Sequence, residues 1–354
     1  MAPEFNCRLA LMAYGLTRVG NRRVVRRPYF FELFIVANFA VIVWMTLGFN
    51  PVVLRTIPDT FQTLIPSMAL YAVAGVAIRA VVAAVRRELP AYLRLLRSAG
   101  WIVDTIRVVV ATALMAHTYF WIKLLVPLLH PRNFDQLLWD LDQKMFLGFS
   151  PNILFLDLFS AAPVMRFIDW SYARIFFASM TIAFVYFLSA PSRRVRTGFV
   201  TGTAVLWLIA AWLYLLIPSL GPAYRFPDVW IPLADSLPVT QTMQAMLMRN
   251  YQNVLQWPTG VARDIQVMFG IAAFPSLHVG FQAFAFLWMR RLWVYGEIVF
   301  GVFLLIILIG SVVTGWHYLI DAYAGGLLAV GGYLFGSRLW RIREWRRLRR
   351  ALRH

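Results

Sequence analysis

Charge is scarce in this 354-residue chain: Asp, Glu, Lys and Arg together make up 14% of it, against 60% hydrophobic residues. A soluble globular domain carries about 25% charged and about 45–50% apolar residues, so a water-soluble globule is excluded. A disordered polar tract is excluded on the same ground. Cysteine is nearly absent. The lone Cys7 rules out an intrachain disulfide and any cysteine-based metal cluster, and it says nothing of redox compartment. Lysine is reduced to Lys123 and Lys144, an arginine bias that hints at a GC-rich bacterial genome. The sequence also lacks an H-E-x-x-H helix, a P-loop and a repeat at solenoid period. Its first 28 residues are basic but run straight into a full-length apolar span with no A-x-A site, which reads as an uncleaved start.

What remains is apolar and long. Mean hydropathy is +0.66, and eight runs are long enough to cross about 30 Å of hydrocarbon: 29–49, 64–85, 101–129, 167–190, 198–218, 273–290, 294–314 and 316–336. The second is the weakest, interrupted by Pro66, Gly75 and Arg79, residues that neighbouring helices can accommodate. The expected fold is an all-α polytopic bundle of about eight spans. It divides into residues 1–100 (a basic segment and two additional spans), a six-span core over 101–338, and a basic tail over 339–354.

Lys and Arg outnumber Asp and Glu by 34 to 16, for a net charge of +18. The excess sits in short clusters between spans: Arg18 to Arg27, Arg86 to Arg97, Arg193 to Arg196, Arg290–Arg291, and the tail. No Gly/aromatic nucleic-acid module accompanies them, so the expected partner is the bilayer and not a nucleic acid. Threading eight spans from a cytoplasmic N-terminus puts every cluster on the cytoplasmic side, as the charge bias of insertion demands. Two long connections then lie outside. Residues 130–166 alternate apolar and polar positions and read as a helix in the interface. Residues 219–272, rich in Pro, Gln and Asn, form a connection long enough to expect function from it.

Two of the five histidines stand out. His278 follows Pro275-Ser276-Leu277 at the opening of the sixth span, and His317 opens the eighth in Gly315-Trp316-His317-Tyr318-Leu319-Ile320-Asp321. The threading puts both at the outer ends of their helices. His317 and Asp321 stand at i and i+4 and share a helix face, where the carboxylate can fix a tautomer and stabilise an imidazolium. Either histidine alone reads as an interfacial residue, and an i,i+4 pair can merely satisfy its own hydrogen bonds. Two helix-initial histidines with one carboxylate point to chemistry, because ionisable groups near the hydrocarbon are costly.

Pro275-Ser276-Leu277-His278 and His317-x-x-x-Asp321 resemble the second and third signature motifs of the phosphatidic acid phosphatase type 2 (PAP2) superfamily. The closer likeness is to its inositol-phosphorylceramide-synthase-like branch, which Leu141-Asp142-Gln143-Lys144-Met145-Phe146-Leu147-Gly148 and Pro218-Ser219-Leu220-Gly221-Pro222-Ala223-Tyr224 also resemble. The likeness runs from Trp101 onward. It implies a double displacement in which His317 attacks phosphorus, Asp321 orients His317, and His278 serves as acid and then base, with no metal and no cofactor. Two positions depart from the superfamily pattern. Ser311 stands where an Arg is usual six residues before the nucleophile, and only Lys123, followed after six residues by His130-Pro131, imitates the first motif. Phosphoryl transfer needs donors around the equatorial oxygens. Arg225, Arg263, Lys123 and the Ser276 turn at the start of the sixth span are the candidates. Arg79, Arg107 and Arg174 read as snorkelling or interhelix-paired residues, and His117 and His130 as packing or interfacial ones.

The expectation is an integral membrane phosphotransferase working at the extracytoplasmic face, most simply of a bacterial plasma membrane. It would move a phosphoryl or phospho-headgroup unit from a lipid donor to an alcohol, inositol- or sugar-like or itself a lipid. A lipid phosphatase acting on phosphatidate or a polyprenyl pyrophosphate would use the same catalytic residues with water as acceptor. A transporter or non-catalytic lipid-binding protein is the third alternative, although no paired broken helices favour transport.

Overall fold

A computed structural model of the protein describes residues 28–47, 56–259 and 265–351, and every regular element among them is helical. The elements are α1 (Phe30–Leu47), α2 (Thr56–Val85), α3 (Leu89–Leu96), α4 (Ala99–Leu129), α5 (Asp135–Met145), α6 (Pro151–Leu158), α7 (Ala162–Leu188) and α8 (Arg193–Leu216). They are followed by the short α9 (Pro222–Arg225) and α10 (Pro227–Trp230), then α11 (Pro238–Leu255), α12 (Leu277–Leu292), α13 (Gly296–Val313) and α14 (Leu319–Ala351). Cys7 and the Arg18–Arg27 cluster lie outside the described residues, as does Arg263.

Among the described residues seven helices are long and apolar enough to cross a membrane, as in a multi-pass membrane protein. Each of the eight expected runs corresponds to a helix. The one that falls short is α12, with 16 residues. Its expected start at Ala273 is wrong for a local reason: Ser276 accepts the Val279 N–H and caps the helix, so the four residues before Leu277 stay non-helical. The interfacial stretch is likewise two helices, α5 and α6, because Ser150 and Pro151 open a new one.

Backbone approaches through glycine set the core. Gly198 and Gly202 on α8 face Gly332 and Gly336 on α14. A Cβ at Gly202 would come within 2.7 Å of the Gly332 carbonyl, and one at Gly332 within 2.8 Å of the Gly202 carbonyl. These are small-x-x-x-small faces, the usual solution where lipid removes the hydrophobic drive for helix pairing. Gly325 on α14 lies against Ser276 and Gly280 of α12 in the same way, 3.2 Å from the Gly280 nitrogen if a Cβ is added. That seam joins the two helices that carry the histidine motifs.

The two N-terminal helices dock on α4, α7 and α8 through polar pairs as well as apolar packing. Arg107 forms two hydrogen bonds to the Glu32 carboxylate, Tyr29 donates to Asp104 at 2.7 Å, and Trp212 donates to Asn38 at 2.6 Å. Arg79 reaches Ser189 and the Tyr186 carbonyl and so pairs between helices as expected, whereas the exposed Arg174 bonds the Trp170 carbonyl of its own helix. Arg193 pairs with Asp104 at 2.9 Å, which gathers the starts of α1, α4 and α8 at one end of the bundle. Residues 130–166 and 219–259 meet at the other end, joined by the Leu220 and Gly221 N–H groups to the Asp135 carboxylate.

Candidate active site

His278 and His317, 39 residues apart, meet at that second end: His278 Nδ1 lies 3.1 Å from His317 Nε2. The cap of α12 sets the first ring, and the turn before α14 sets the second. Burial, then the neighbouring His278 and Lys123 charges, hold the His317 imidazole well below the ordinary histidine range, so it stands neutral at pH 7. Both neighbours of its Nδ1 are acceptors: the Ala273 carbonyl at 3.0 Å and the Asp321 carboxylate at 3.4 Å. The proton therefore belongs on Nδ1, and Nε2 carries the lone pair. With that assignment His278 Nδ1–H donates to His317 Nε2, and the arrangement sets a lone-pair nitrogen opposite an N–H donor.

Sequence reasoning picked out the i,i+4 carboxylate but missed the carbonyl that lies closer. Asp321 Oδ2 also accepts the Tyr318 N–H at 2.9 Å, while its Oδ1 is buried without a partner. Ala273 reaches His317 because residues 273–276 are non-helical and pinned. The Ala273 N–H donates to the Ser219 carbonyl, the Phe274 N–H donates to the Ser219 hydroxyl, and the Ser276 N–H donates to the Asp321 carbonyl.

Three further side chains hold the turn that carries His317, and all come from the connection over 130–166. Asp142 accepts the Leu319 and Ile320 N–H groups at 2.6 and 2.8 Å, capping α14. Burial nevertheless pushes its carboxyl up to about 6, against the pull of those two donors. Asn152 donates to the Val312 and His317 carbonyls at 2.9 and 3.1 Å. Asp135 accepts the Leu220 and Gly221 N–H groups and the Tyr318 hydroxyl. Asp142 stood in a quoted motif without a role, Asp135 carried no local signal, and Asn152, expected to be accessible on the outer connection, is instead fully buried because its amide binds two carbonyls of the fold. Their signal was polar residues on the inward face of an amphipathic segment, which reads like ordinary interfacial character.

The candidate phosphate ligands separate. Lys123 on α4 is partly buried beside the Tyr214 ring, and its ammonium is close enough to act electrostatically on both imidazoles. Arg225 is exposed on the outer cap, where it bonds Gln136 at 3.2 Å and stacks on Phe226. The Ser276 hydroxyl accepts from Val279 as a helix cap. Ser311, buried on α13, donates to the Leu308 carbonyl, and its own carbonyl accepts the His317 N–H. His117 packs among Phe39, Phe61 and Trp121, away from the pair. A cavity of about 150 Å³, lined by Tyr224, Trp230, Gln241 and Gln244, sits beside the 314–316 turn. Among the described residues no group of three or more His, Cys, Asp or Glu side chains is placed to hold a metal ion.

Comparison with known proteins bears on this geometry. No curated protein and no solved structure matches the chain. A scan of protein families matches residues 136–335, which contain both histidines, Asp321, Asp142 and Asn152, but neither Lys123 nor Asp135. The match spans more than half of the 354 residues, and the chain belongs to the PAP2 superfamily.

Proposed function

We propose that the protein is a lipid phosphotransferase that moves a phosphoryl or phospho-headgroup unit from a lipid donor to an alcohol through a phosphohistidine. Membership of the superfamily supports phosphatase or phosphotransferase chemistry on lipid-like substrates. The observation that carries the reading further is the lone-pair nitrogen of His317 facing the N–H of His278 at 3.1 Å. Phosphorus enters between them, which requires the pair to part. His317 Nε2 attacks in line, the P–N bond forms, and the P–O bond to the lipid breaks on the opposite side. His278 Nδ1 gives its proton to that oxygen. In the second half the acceptor hydroxyl loses its proton to His278, its oxygen attacks phosphorus, and the P–N bond breaks to restore His317. Asp321 and the Ala273 carbonyl hold the Nδ1 proton throughout and stabilise the positive imidazole.

Lys123 supplies the cation for the equatorial oxygens in this scheme, a role supported by the electrostatic effect of its ammonium on both imidazoles. Transfer is favoured over hydrolysis by enclosure: His317 is 3% and Asp321 0% exposed, so a phosphohistidine there is shielded from bulk water. The one-sided basic clusters support an extracytoplasmic site in a bacterial plasma membrane, and the histidine set asks for no metal. The test is to incubate purified protein with labelled phospholipids, with and without inositol, sugar and lipid alcohols, and to identify products by mass. Alcohol-dependent transfer of label is expected. Release of free phosphate or free phospho-headgroup regardless of added alcohol would make the protein a hydrolase. His317→Ala should abolish an acid-labile phosphoenzyme, and its survival in that variant would overturn the mechanism.

A further inference from the structure

The flank of His278 that faces α7 holds a polar group the mechanism above leaves idle. Two rings of α7 enclose the imidazole: Phe176 at 4.4 Å between centroids and Tyr172 at 5.6 Å. Tyr172 is 4% exposed, and its hydroxyl is buried with no hydrogen-bond partner. Its surroundings are otherwise apolar, including Val279, Ile307 and Val312. A phenol in such a place gives up its hydrogen bonds to water and gains none, and phenylalanine would fill the same volume at no such loss. The backbone of α13 makes room for the ring. A Cβ at Gly310 would come within 2.6 to 2.9 Å of the Tyr172 Cδ2, Cβ and Cγ atoms, so only glycine lets the ring stand this close to α13 and against His278.

On the reading of His278 as the proton donor and acceptor, we propose that the Tyr172 hydroxyl is a catalytic group that hydrogen-bonds the substrate oxygen exchanging a proton with His278. In the first half-reaction that oxygen is the leaving oxygen of the lipid donor, and in the second it is the incoming oxygen of the acceptor. The donor is neutral and fixed by packing, and its partner oxygen carries most negative charge in the transition state, where a preorganised donor contributes most. Tyr172 takes no proton in either half, and His278 remains the acid and base.

The experiment compares Tyr172→Phe with wild type, as full-length purified protein, on two phosphate donors. Phosphatidate has an alkoxide leaving group that needs help, and p-nitrophenyl phosphate has one that needs little. Phosphoenzyme formation from phosphatidate should fall about 10²-fold, the usual cost of losing one such donor. Formation from p-nitrophenyl phosphate should stay within about threefold of wild type. Tm should be unchanged or higher, because the substitution removes an unpartnered hydroxyl. Equal losses on both donors, or no loss on phosphatidate, would overturn the role of Tyr172 while leaving the His317 chemistry intact. A wild type that forms no phosphoenzyme from either donor would overturn that chemistry, and the role of Tyr172 with it.

Discussion

Adding one methyl group at Gly325 should disable the site, and adding one at its neighbour Gly326 should not. A Cβ at Gly325 would lie inside contact distance of the Ser276 carbonyl oxygen, 3.1 Å from the carbonyl carbon and 3.2 Å from the Gly280 nitrogen. All three are backbone atoms of the first turn of α12 and cannot rotate away, so α12 and α14 must move apart. Overpacking of this kind costs about 1–3 kcal/mol. The catalytic penalty is larger, because Ser276 is two residues from His278 and Gly325 is one turn from Asp321. A displacement of about 1 Å at the reacting groups costs about 10²-fold in rate. Gly326 has nothing within 4 Å of its added Cβ, and Gly→Ala at an open helical site gains about 0.5–1 kcal/mol. The assay is transfer of label from phospholipid alongside Tm in detergent for both variants. Gly325→Ala should lose about 10²-fold in rate and several degrees of Tm, while Gly326→Ala keeps its rate and gains slightly in Tm. Full activity in Gly325→Ala, or equal damage from both, would refute the claim that this seam sets the distance between the histidine motifs.

Asn152→Ala removes both donors to the Val312 and His317 carbonyls and should cost about 1–3 kcal/mol by chemical denaturation, with a larger fall in kcat than rise in KM. The Asp142 carboxyl is raised from 3.8 to about 6, so it binds its proton more tightly folded than unfolded. Its contribution to stability is therefore fullest below about pH 4 and is lost as pH rises through about 6. Asp142→Asn should remove that slope from a plot of Tm against pH. Activity should survive EDTA, whereas loss in chelator with rescue by a divalent ion would point to a different phosphotransferase chemistry. In a Cys7→Ser background, a cysteine at the exposed Gln252 should label with an impermeant reagent in intact cells and one at the exposed Arg87 should not, and the reverse would invert the topology.

The spans were legible because hydrocarbon thickness imposes a length on any crossing helix, and apolar runs of that length have few other readings. The exception, α12, shows what that signal omits. Residues 273–275 are as apolar as their neighbours, but the Ser276 cap starts the helix at Leu277, and the irregular stretch before it brings the Ala273 carbonyl to His317. His278, His317 and Asp321 were legible because helix-initial histidines and an i,i+4 carboxylate are local patterns. The residues that hold them were not. Asp135, Asp142 and Asn152 act across 160 to 183 residues of sequence, and no local periodicity encodes such a pairing. Arg225 was legible only as an exposed cation in the connection after α8, and its bond to Gln136 and its place on the Phe226 ring depend on pairing across the fold.

The bond from Asp142 to Leu319 also fixes an order of events. Translation delivers Asp142 with its segment 177 residues before the helix end it caps. Until α14 is inserted, that carboxylate has no backbone donors to accept, His278 has no histidine opposite it, and the α8 glycines have no partner. The segment from His317 through α14 thus brings the second histidine, its carboxylate and the closing seam in a single step. A chain stalled before residue 317 holds only half of the histidine pair. Assembly of that pair and closure of the α8–α14 seam become one event.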